Sequence, residues 1–296
     1  MTGILIVDKP DGITSFQAVA RVRKFTGEKK CGHTGTLDPM ATGVLTVMLG
    51  RATSFLNYLP DKDKEYTATV KLGVVTDTLD ITGKILETRD FDVTYDELLQ
   101  TLKGFDGEIE QTPPMYSAVS VNGKRLYELA RQGKEIERPV RKVKIYSSEI
   151  ISFDEKAGEF TFSVGCSSGT YIRSLVADIG EKVGCGATLT ALRRVKANGF
   201  TMSDAMSLEE IKTLCENNEI SNRLIKLDTI FCDYPEITVS DAQAVRFLNG
   251  GFLAAERLKN CKAEGLYRIY DGNRTFLGLG RFGNGEMKVE KIAILP

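Results

Sequence analysis

The alternation of apolar and polar residues along the chain indicates a mixture of strands and helices. Residues 66–72 and 159–166 alternate strictly, and side chains on a strand point to opposite faces in turn, so both segments are predicted to be strands with one buried face. Residues 142–151 are predicted to be a strand between them. Short apolar runs at 4–7 and 44–49 predict two further strands.

Helices are predicted where apolar residues recur every three or four positions behind a residue that can cap a helix. Thr14 or Ser15 can accept hydrogen bonds from the first free N–H groups, and Gly27 is suited to end the helix that follows. Thr94 with Glu97 forms a capping box. Five helical segments are predicted on these grounds, over or beginning at residues 15–25, 94–103, 171–183, 207 and 240.

The pattern changes after Pro235, where short apolar segments are separated by turn pairs. Asp271-Gly272 and Asn284-Gly285 are typical hairpin turns. The predicted strands around them are 266–270, 275–282 and 287–295. We therefore predict an α+β fold in which residues 1–235 form a large domain with a central, mainly antiparallel sheet and residues 236–296 form a small β-rich domain.

Residues 111–141 show little periodicity and contain a local excess of positive charge. The stretch 124–144 has eight lysines and arginines against three glutamates, although the net charge of the whole chain is only -1. We interpret 111–141 as an insertion with a short helix at 126–131. Its charge is either a solvated face or a contact for the phosphates of a nucleic acid.

The composition argues against several classes of chemistry. The six cysteines are widely spaced and His33 is the only histidine, a pattern that favours neither a zinc site nor catalysis by a Ser-His-Asp triad. Residues 278–283 match a dinucleotide-binding glycine pattern, but a turn follows in place of the required helix, so they are predicted to be strand and turn. We expect no metal and no cofactor.

The hydrophobic segments also bear on location. No apolar run approaches the roughly 20 residues of a membrane helix. The segment from Met1 to Lys9 is predicted to be a strand and lacks the basic start and cleavage site of a secretion signal. We therefore expect a cytoplasmic protein that does not contact a membrane.

The segment from Gly32 to Gly43 is the strongest candidate for chemistry, and residues 31–43 are predicted to be loop. Pro39 restricts Asp38 to an extended conformation. In one interpretation Asp38 caps a short helix that begins at Pro39, which the local chemistry alone favours. In the other, the loop holds the carboxylate rigidly for attack or for proton transfer.

This segment reads Gly32-His-Thr-Gly-Thr-Leu-Asp-Pro39 and is followed by Ala41-Thr-Gly-Val-Leu45. The combination resembles the signature of the bacterial tRNA pseudouridine-55 synthases, the TruB family. Ser168 and Thr46 depart from it, since lysine and proline are common there in the family. The small C-terminal domain resembles the family's RNA-binding PUA domain by position. Further segments between about Gly3 and Phe200 resemble motifs of the family in the same order along the chain. They are residues 5–10, 63–66, 73–83, 115–118, 123–127, 166–173 and 192–194.

The resemblance implies a pseudouridine synthase fold and an activity that needs no cofactor, the isomerisation of the T-loop uridine at position 55 of tRNA. It implies that Asp38 acts at C1′ of a flipped-out nucleotide, with Arg173 as its counter-charge. The sequence does not choose between nucleophilic attack and removal of a sugar proton. The implied substrate-binding residues are Lys9, His33, Tyr66, Asp77, Tyr171 and Leu192, and the implied RNA contacts of the insertion are Lys124, Arg125 and Arg131.

Each of these residues also has an interpretation without function. Tyr66 and Tyr171 suit core positions of a strand and a helix, and Leu192 is by itself an apolar residue. Arg173 could form a surface ion pair, and His33 could be solvated. These alternatives stay open on residue chemistry alone.

The expected partner is tRNA, held by its T-arm, with no obligatory guide RNA or protein partner. One alternative is a related synthase that depends on a guide RNA and partner proteins; the insertion argues against it. The other is a catalytically silent RNA chaperone that folds tRNA through the same surface, in which Asp38 and Arg173 would be dispensable.

Overall fold

The computed structural model describes residues 1–59, 62–117, 119–121, 123–258, 261 and 263–294. Ala118 and Leu295, which belong to segments discussed above, lie outside them. The helices are α1 Ser15–Thr26, α2 Tyr95–Lys103, α3 Leu126–Arg131, α4 Ile172–Lys182, α5 Leu208–Glu216, α6 Leu227–Ile230 and α7 Asp241–Leu248. Short 3-10 helices occupy Gly50–Tyr58, Met202–Asp204, Ile220–Arg223 and Ala255–Arg257.

The strands divide between a large sheet, two small hairpins and a C-terminal sheet. Those up to the middle of the chain are β1 Gly3–Lys9, β2 Cys31–His33, β3 Thr42–Leu49, β4 Lys64–Leu72, β5 Val74–Thr76, β6 Ile85–Thr88, β7 Gly107–Gln111, β8 Ser120–Val121 and β9 Lys124–Arg125. The others are β10 Arg141–Asp154, β11 Glu159–Cys166, β12 Ala187–Ala197, β13 Phe200–Thr201, β14 Glu236–Thr238, β15 Leu253–Ala254, β16 Gly265–Tyr270, β17 Phe276–Gly283 and β18 Glu286–Ile292.

Within the described residues the large sheet has nine strands. Its main path runs β1-β3-β12-β4-β11-β10-β7, with β2 on β3 and β13 on β12. Among the described strand pairs of this sheet, only β3 and β12 run parallel, through the pairs Arg193↔Thr42 and Arg194↔Gly43. The second sheet runs β14-β16-β17-β18-β15. The predicted α+β class with a mainly antiparallel central sheet is therefore confirmed.

Local sequence signals account for many of these elements. Thr14 accepts a hydrogen bond from the N–H of Gln17 and Gln17 accepts one from Thr14, which completes a capping box at the start of α1. Gly27 ends the helix with a left-handed backbone, φ 68°. In β4 the buried residues alternate as predicted. The glycines of 278–283 lie in β17, so the interpretation as strand rather than as a nucleotide-binding loop is confirmed.

The prediction that all of 31–43 is loop is wrong at both ends. Residues 31–33 form β2, which pairs antiparallel with the end of β3, and β3 itself begins at Thr42. A three-residue strand is too short to show a period, so the pattern could not indicate it. The helix-cap interpretation of Asp38 is wrong as well, because Pro39 begins a single turn in which the N–H of Ala41 donates to the carbonyl of Asp38 at 3.0 Å.

An apolar cluster joins the large sheet to the C-terminal sheet. Phe55 packs against Phe231 and Phe276, whose ring centroids lie 5.7 and 6.4 Å from its own. Leu279 and Ala293 of the C-terminal part belong to the same cluster as Ile4 and Ile6 of β1. In the part of the chain that the structure describes, no helix has both the length and the apolar character to cross a membrane.

Candidate active site

The turn that carries Asp38 is fixed on both sides of the residue. Before it, the hydroxyl of the buried Ser15 at the start of α1 accepts from the N–H of Leu37 at 2.8 Å and donates to its carbonyl at 3.0 Å. After it, the carbonyl of Pro39 accepts from Lys9 at 3.0 Å. Side chains from α1 and β1 therefore hold the backbone around the carboxylate in one conformation.

Lys9 is fully buried, and its ammonium donates to the carbonyls of Pro10, Ile13 and Pro39 at 2.8, 2.6 and 3.0 Å. Burial lowers the pKa of Lys9 to about 8. The resemblance implied substrate binding for this residue, but its side chain lies behind the Asp38 turn and is not among those that line the nearby cavity.

Arg173 lies in the first turn of α4 and is almost completely buried. Its Nε lies 3.0 Å from Oδ2 of Asp38. Its two terminal nitrogens donate to the carbonyl of Thr78 at 2.9 Å and to that of Tyr116 at 2.7 Å. The guanidinium is thus oriented by the β5–β6 loop and by the insertion while it pairs with Asp38.

A second carboxylate, that of Asp80, completes this network. Its Oδ2 lies 3.3 Å from Arg173, and its Oδ1 accepts from the hydroxyl of Thr78 at 2.8 Å and from the N–H of Thr82 at 3.0 Å. The family resemblance implied Asp77 as the substrate-binding residue of this stretch. Asp77 instead accepts from the N–H of Lys84 at 2.8 Å, so it shapes the loop and does not line the cavity.

The electrostatic environment of Asp38 is balanced between burial and its partner. Burial raises the pKa of the carboxyl above its ordinary value, and the nearby Asp80 acts in the same direction. Arg173 opposes both by stabilising the ionised form. The side chain keeps 35 % of its surface exposed, so a ligand can reach the carboxyl group.

Asp38 and Arg173 line a cavity of about 350 Å³. Tyr66, Tyr171 and Leu192, three of the residues implied to bind substrate, line the same cavity. The structure therefore brings together five residues from four separate segments of the sequence. The remaining lining residues are Thr34, Gly35, Thr36, Leu37, Lys64, Ser117, Ser168, Gly169, Thr170 and Ile172.

Both tyrosines are positioned by buried polar side chains. Gln111 accepts from the N–H of Tyr171 at 2.7 Å and donates to its carbonyl at 3.0 Å. Burial raises the pKa of the Tyr66 phenol, and the neighbouring guanidinium of Arg194 opposes this rise. Arg194 is itself fixed by the carbonyls of Val44 and Gly35 at 2.7 and 3.1 Å.

Gly43 allows β12 to lie close to β3 beside the cavity. Its φ is +99°, and a Cβ there would lie 2.2 Å from the carbonyl oxygen of Arg194. Any other residue would therefore separate the two strands that meet next to the cavity.

The other implied site residues lie outside the cavity. His33, in β2, is half-buried; burial lowers its pKa, and its Nδ1 has no hydrogen-bond partner among the described residues. Lys124, Arg125 and Arg131 are exposed on β9 and α3. The guanidinium of Arg131 lies 5.5 Å from the centre of the Tyr127 ring.

Sequence reasoning missed the residues that fix the site from behind, namely Ser15, Asp80, Gln111 and Arg194. Asp80 and Arg194 lie within segments that resemble the family, so their charge was a usable signal. Ser15 had been considered only as a helix cap. Gln111 had no signal of its own, because its partner is 60 residues away.

Comparisons with known proteins agree along the whole chain. Residues 23–172 match the TruB family pseudouridylate synthase N-terminal domain, 173–231 the tRNA pseudouridylate synthase B C-terminal domain, and 235–291 the pseudouridine synthase II TruB C-terminal domain. The tRNA pseudouridine synthase B of Clostridium kluyveri is 41 % identical over 99 % of this chain and 100 % of its own. That of Aquifex aeolicus is 40 % identical with the same coverage.

Solved structures give the same result for the fold. A structure of a Cbf5-Nop10-Gar1 complex matches with a TM-score of 0.72 and 26 % identity, over 99 % of this chain and 85 % of the other. An H/ACA RNP bound to a substrate RNA matches with a TM-score of 0.71 and 25 % identity, over the same shares of the two chains. Together with the full-length relatives, these matches show that the chain belongs to the TruB family of pseudouridylate synthases.

Proposed function

We propose that this protein converts uridine to pseudouridine in tRNA, at position 55 of the T loop, with Asp38 as the catalytic carboxylate. The observation that carries the proposal is the Asp38–Arg173 ion pair, at 3.0 Å, in a cavity walled by Tyr66 and Leu192. Family membership and the names of the full-length relatives support the reaction and the RNA substrate. The geometry supports the choice of carboxylate.

The reaction breaks the C1′–N1 bond, turns the uracil and joins C5 to C1′. The proton at C5 is lost and N1 gains one, so the reaction involves no net oxidation and no group donor. A uridine can reach a cavity of about 350 Å³ only after it leaves the base stack. Tyr66 then offers an aromatic face to the uracil and Leu192 an apolar wall.

Asp38 acts at C1′ in its ionised form. It either attacks the carbon as a nucleophile or removes a sugar proton, and both routes need a carboxylate at the same place. Arg173 keeps the group charged and oriented despite its burial. Because Asp80 and two backbone carbonyls also hold Arg173, the pair is set before RNA binds.

The RNA is held outside the cavity by the basic insertion, through Lys124, Arg125 and Arg131, and by the small domain of residues 236–296. We place the protein in the cytoplasm and propose that it acts without guide RNA or a partner protein. The curated relatives, named as tRNA enzymes, are matched over their full length. The match to Cbf5 complexes makes guide dependence the alternative that the experiment must test.

The test uses the purified protein and a T-arm stem-loop labelled with tritium at uracil C5, with no other RNA present. We expect release of the label by the wild type and none by Asp38→Asn, which nearly keeps the shape but cannot be ionised. Asp90→Asn, at an exposed aspartate, is the matched control and should keep full activity.

Two results would overturn the proposal. Turnover by Asp38→Asn near the wild-type rate would remove Asp38 from the mechanism. Label release that depends on an added guide RNA would assign the protein to the guide-dependent alternative, and RNA folding without any release would favour the silent chaperone.

A further inference from the structure

Ser117, in the insertion, lines the same cavity as Asp38 and is only 5 % exposed. Its hydroxyl is buried and has no hydrogen-bond partner among the described residues. A buried hydroxyl without a partner is unfavourable, so most such groups in proteins are paired. The unpaired state of Ser117 therefore requires an explanation.

The backbone around Ser117 is held on both sides. The carbonyl of Ser117 accepts from the N–H of Tyr127 at 3.1 Å, at the start of α3. The carbonyl of the preceding Tyr116 accepts from Arg173 at 2.7 Å. The segment thus connects the helix of the insertion to the guanidinium that pairs with Asp38, while the hydroxyl of Ser117 has no partner among the described residues.

Other hydroxyls near the site do have partners. Ser15 bonds both backbone groups of Leu37, and Ser174 donates to the carbonyl of Thr112 at 3.0 Å. The hydroxyl of Thr46 is also buried and unpaired, but Thr46 does not line the cavity. Among the described residues, Ser117 alone combines an unpaired buried hydroxyl with a place in the cavity wall.

We propose that Ser117 is a substrate-contacting residue whose hydroxyl hydrogen-bonds a polar atom of the target uridine when that nucleotide occupies the cavity. The inference rests on the proposed function. Uracil presents two carbonyl oxygens and an N–H, and ribose presents a 2′-hydroxyl; a serine hydroxyl can pair with any of them because it both donates and accepts. The insertion then contributes to the reaction centre itself, in addition to any contact with phosphates.

Binding is measured in an Asp38→Asn background, so that no turnover interferes. Ser117→Ala is compared with Ser221→Ala, a matched change at an exposed serine outside the insertion, in the 3-10 helix Ile220–Arg223. We expect Ser117→Ala to weaken binding of the uridine-containing T-arm stem-loop about 3- to 10-fold, the range for one neutral hydrogen bond, and Ser221→Ala to leave it unchanged.

Two further stem-loops identify the contact, one abasic at the target position and one with 2′-deoxyuridine there. An effect of Ser117→Ala that disappears with the abasic RNA but persists with 2′-deoxyuridine supports a contact to the base. An effect that disappears with 2′-deoxyuridine but persists with the abasic RNA, whose ribose keeps its 2′-hydroxyl, supports a contact to that hydroxyl. An effect of equal size on all three RNAs overturns the proposal, as does no effect beyond that of Ser221→Ala.

Thermal melting of each variant separates binding from folding, and Ser117→Cys, which nearly keeps the volume with a weaker donor, is measured in parallel. We expect it to fall between serine and alanine. Label release by the wild type tests the proposed function independently. A wild type that releases no label would refute the proposed function, whereas unchanged RNA binding by Ser117→Ala would refute only the role of Ser117.

Discussion

Replacing Lys9 by methionine tests how the Asp38 turn is held. Methionine has a similar length but no charge, so the carbonyls of Pro10, Ile13 and Pro39 lose their shared donor. Hydrogen bonds to a charged group contribute roughly 1.5–3 kcal/mol each. Burial of the charge lowers the pKa of Lys9 from 10.5 to about 8, and this cost offsets about 3 kcal/mol of the stabilisation that the three hydrogen bonds provide together. We expect the variant to lose roughly 2–6 kcal/mol of unfolding free energy at pH 7.

The pH dependence gives a sharper test, because stability and activity should move in opposite directions. Between pH 8 and pH 10.5 the unfolded chain binds a proton at Lys9 that the folded protein has released, so stability rises with pH. The advantage of the wild type over Lys9→Met should widen by about 3 kcal/mol across that window. Activity should fall there, since a neutral amine has two N–H donors for three carbonyls.

Urea unfolding and tritium release at each pH measure the two quantities. Lys212→Met, at an exposed lysine of α5, is the matched control and should change neither the unfolding free energy nor the release of tritium. A stability difference that stays constant from pH 7.5 to 10.5 would show that the pKa of Lys9 is not lowered. Full activity of Lys9→Met at pH 7 would show that Ser15 alone holds the turn.

Three further predictions concern other parts of the chain. The single-turnover rate should fall on the acid side with an apparent pKa above the ordinary 3.8, because burial raises the pKa of Asp38 and only the ionised form acts; an ordinary value would contradict this. Thr46→Val should raise the unfolding free energy by about 1 kcal/mol in urea titrations, since it removes a buried, unpaired hydroxyl from an apolar face; a loss would refute it. Neutralising Lys124, Arg125 and Arg131 together should weaken tRNA binding and flatten the slope of log K against log salt by about 2 to 3, whereas an unchanged slope would show that these charges are only solvated.

The sequence predicted the elements whose signals are local. The capping box of Thr94 and Glu97, the alternation in β4 and the short helix α3 all follow from residues within one turn or one strand. The β2 strand was missed because three residues that pair with the end of β3 carry no pattern of their own.

The candidate site was predictable only in part, for the same reason. Resemblance to a family selected the five cavity residues that the structure brings together. Residue chemistry did not indicate that Lys9 would bind three carbonyls behind the turn, or that Asp80 rather than Asp77 would pair with Arg173. Those choices depend on contacts between distant segments, which neither periodicity nor spacing records.

The parallel pairing of β3 with β12 has a consequence for protein synthesis. The bond from Arg194 to the carbonyl of Val44 joins residues 150 positions apart, and Arg173 must also be present before Asp38 has its partner. Closing so long a loop is entropically costly and slow compared with forming local helices and hairpins. A nascent chain that still lacks β12 therefore has no complete reaction centre, however well its first strands are folded. We expect competence only once β12 has been synthesised, at about two thirds of the chain, so that shorter nascent chains cannot carry out the reaction.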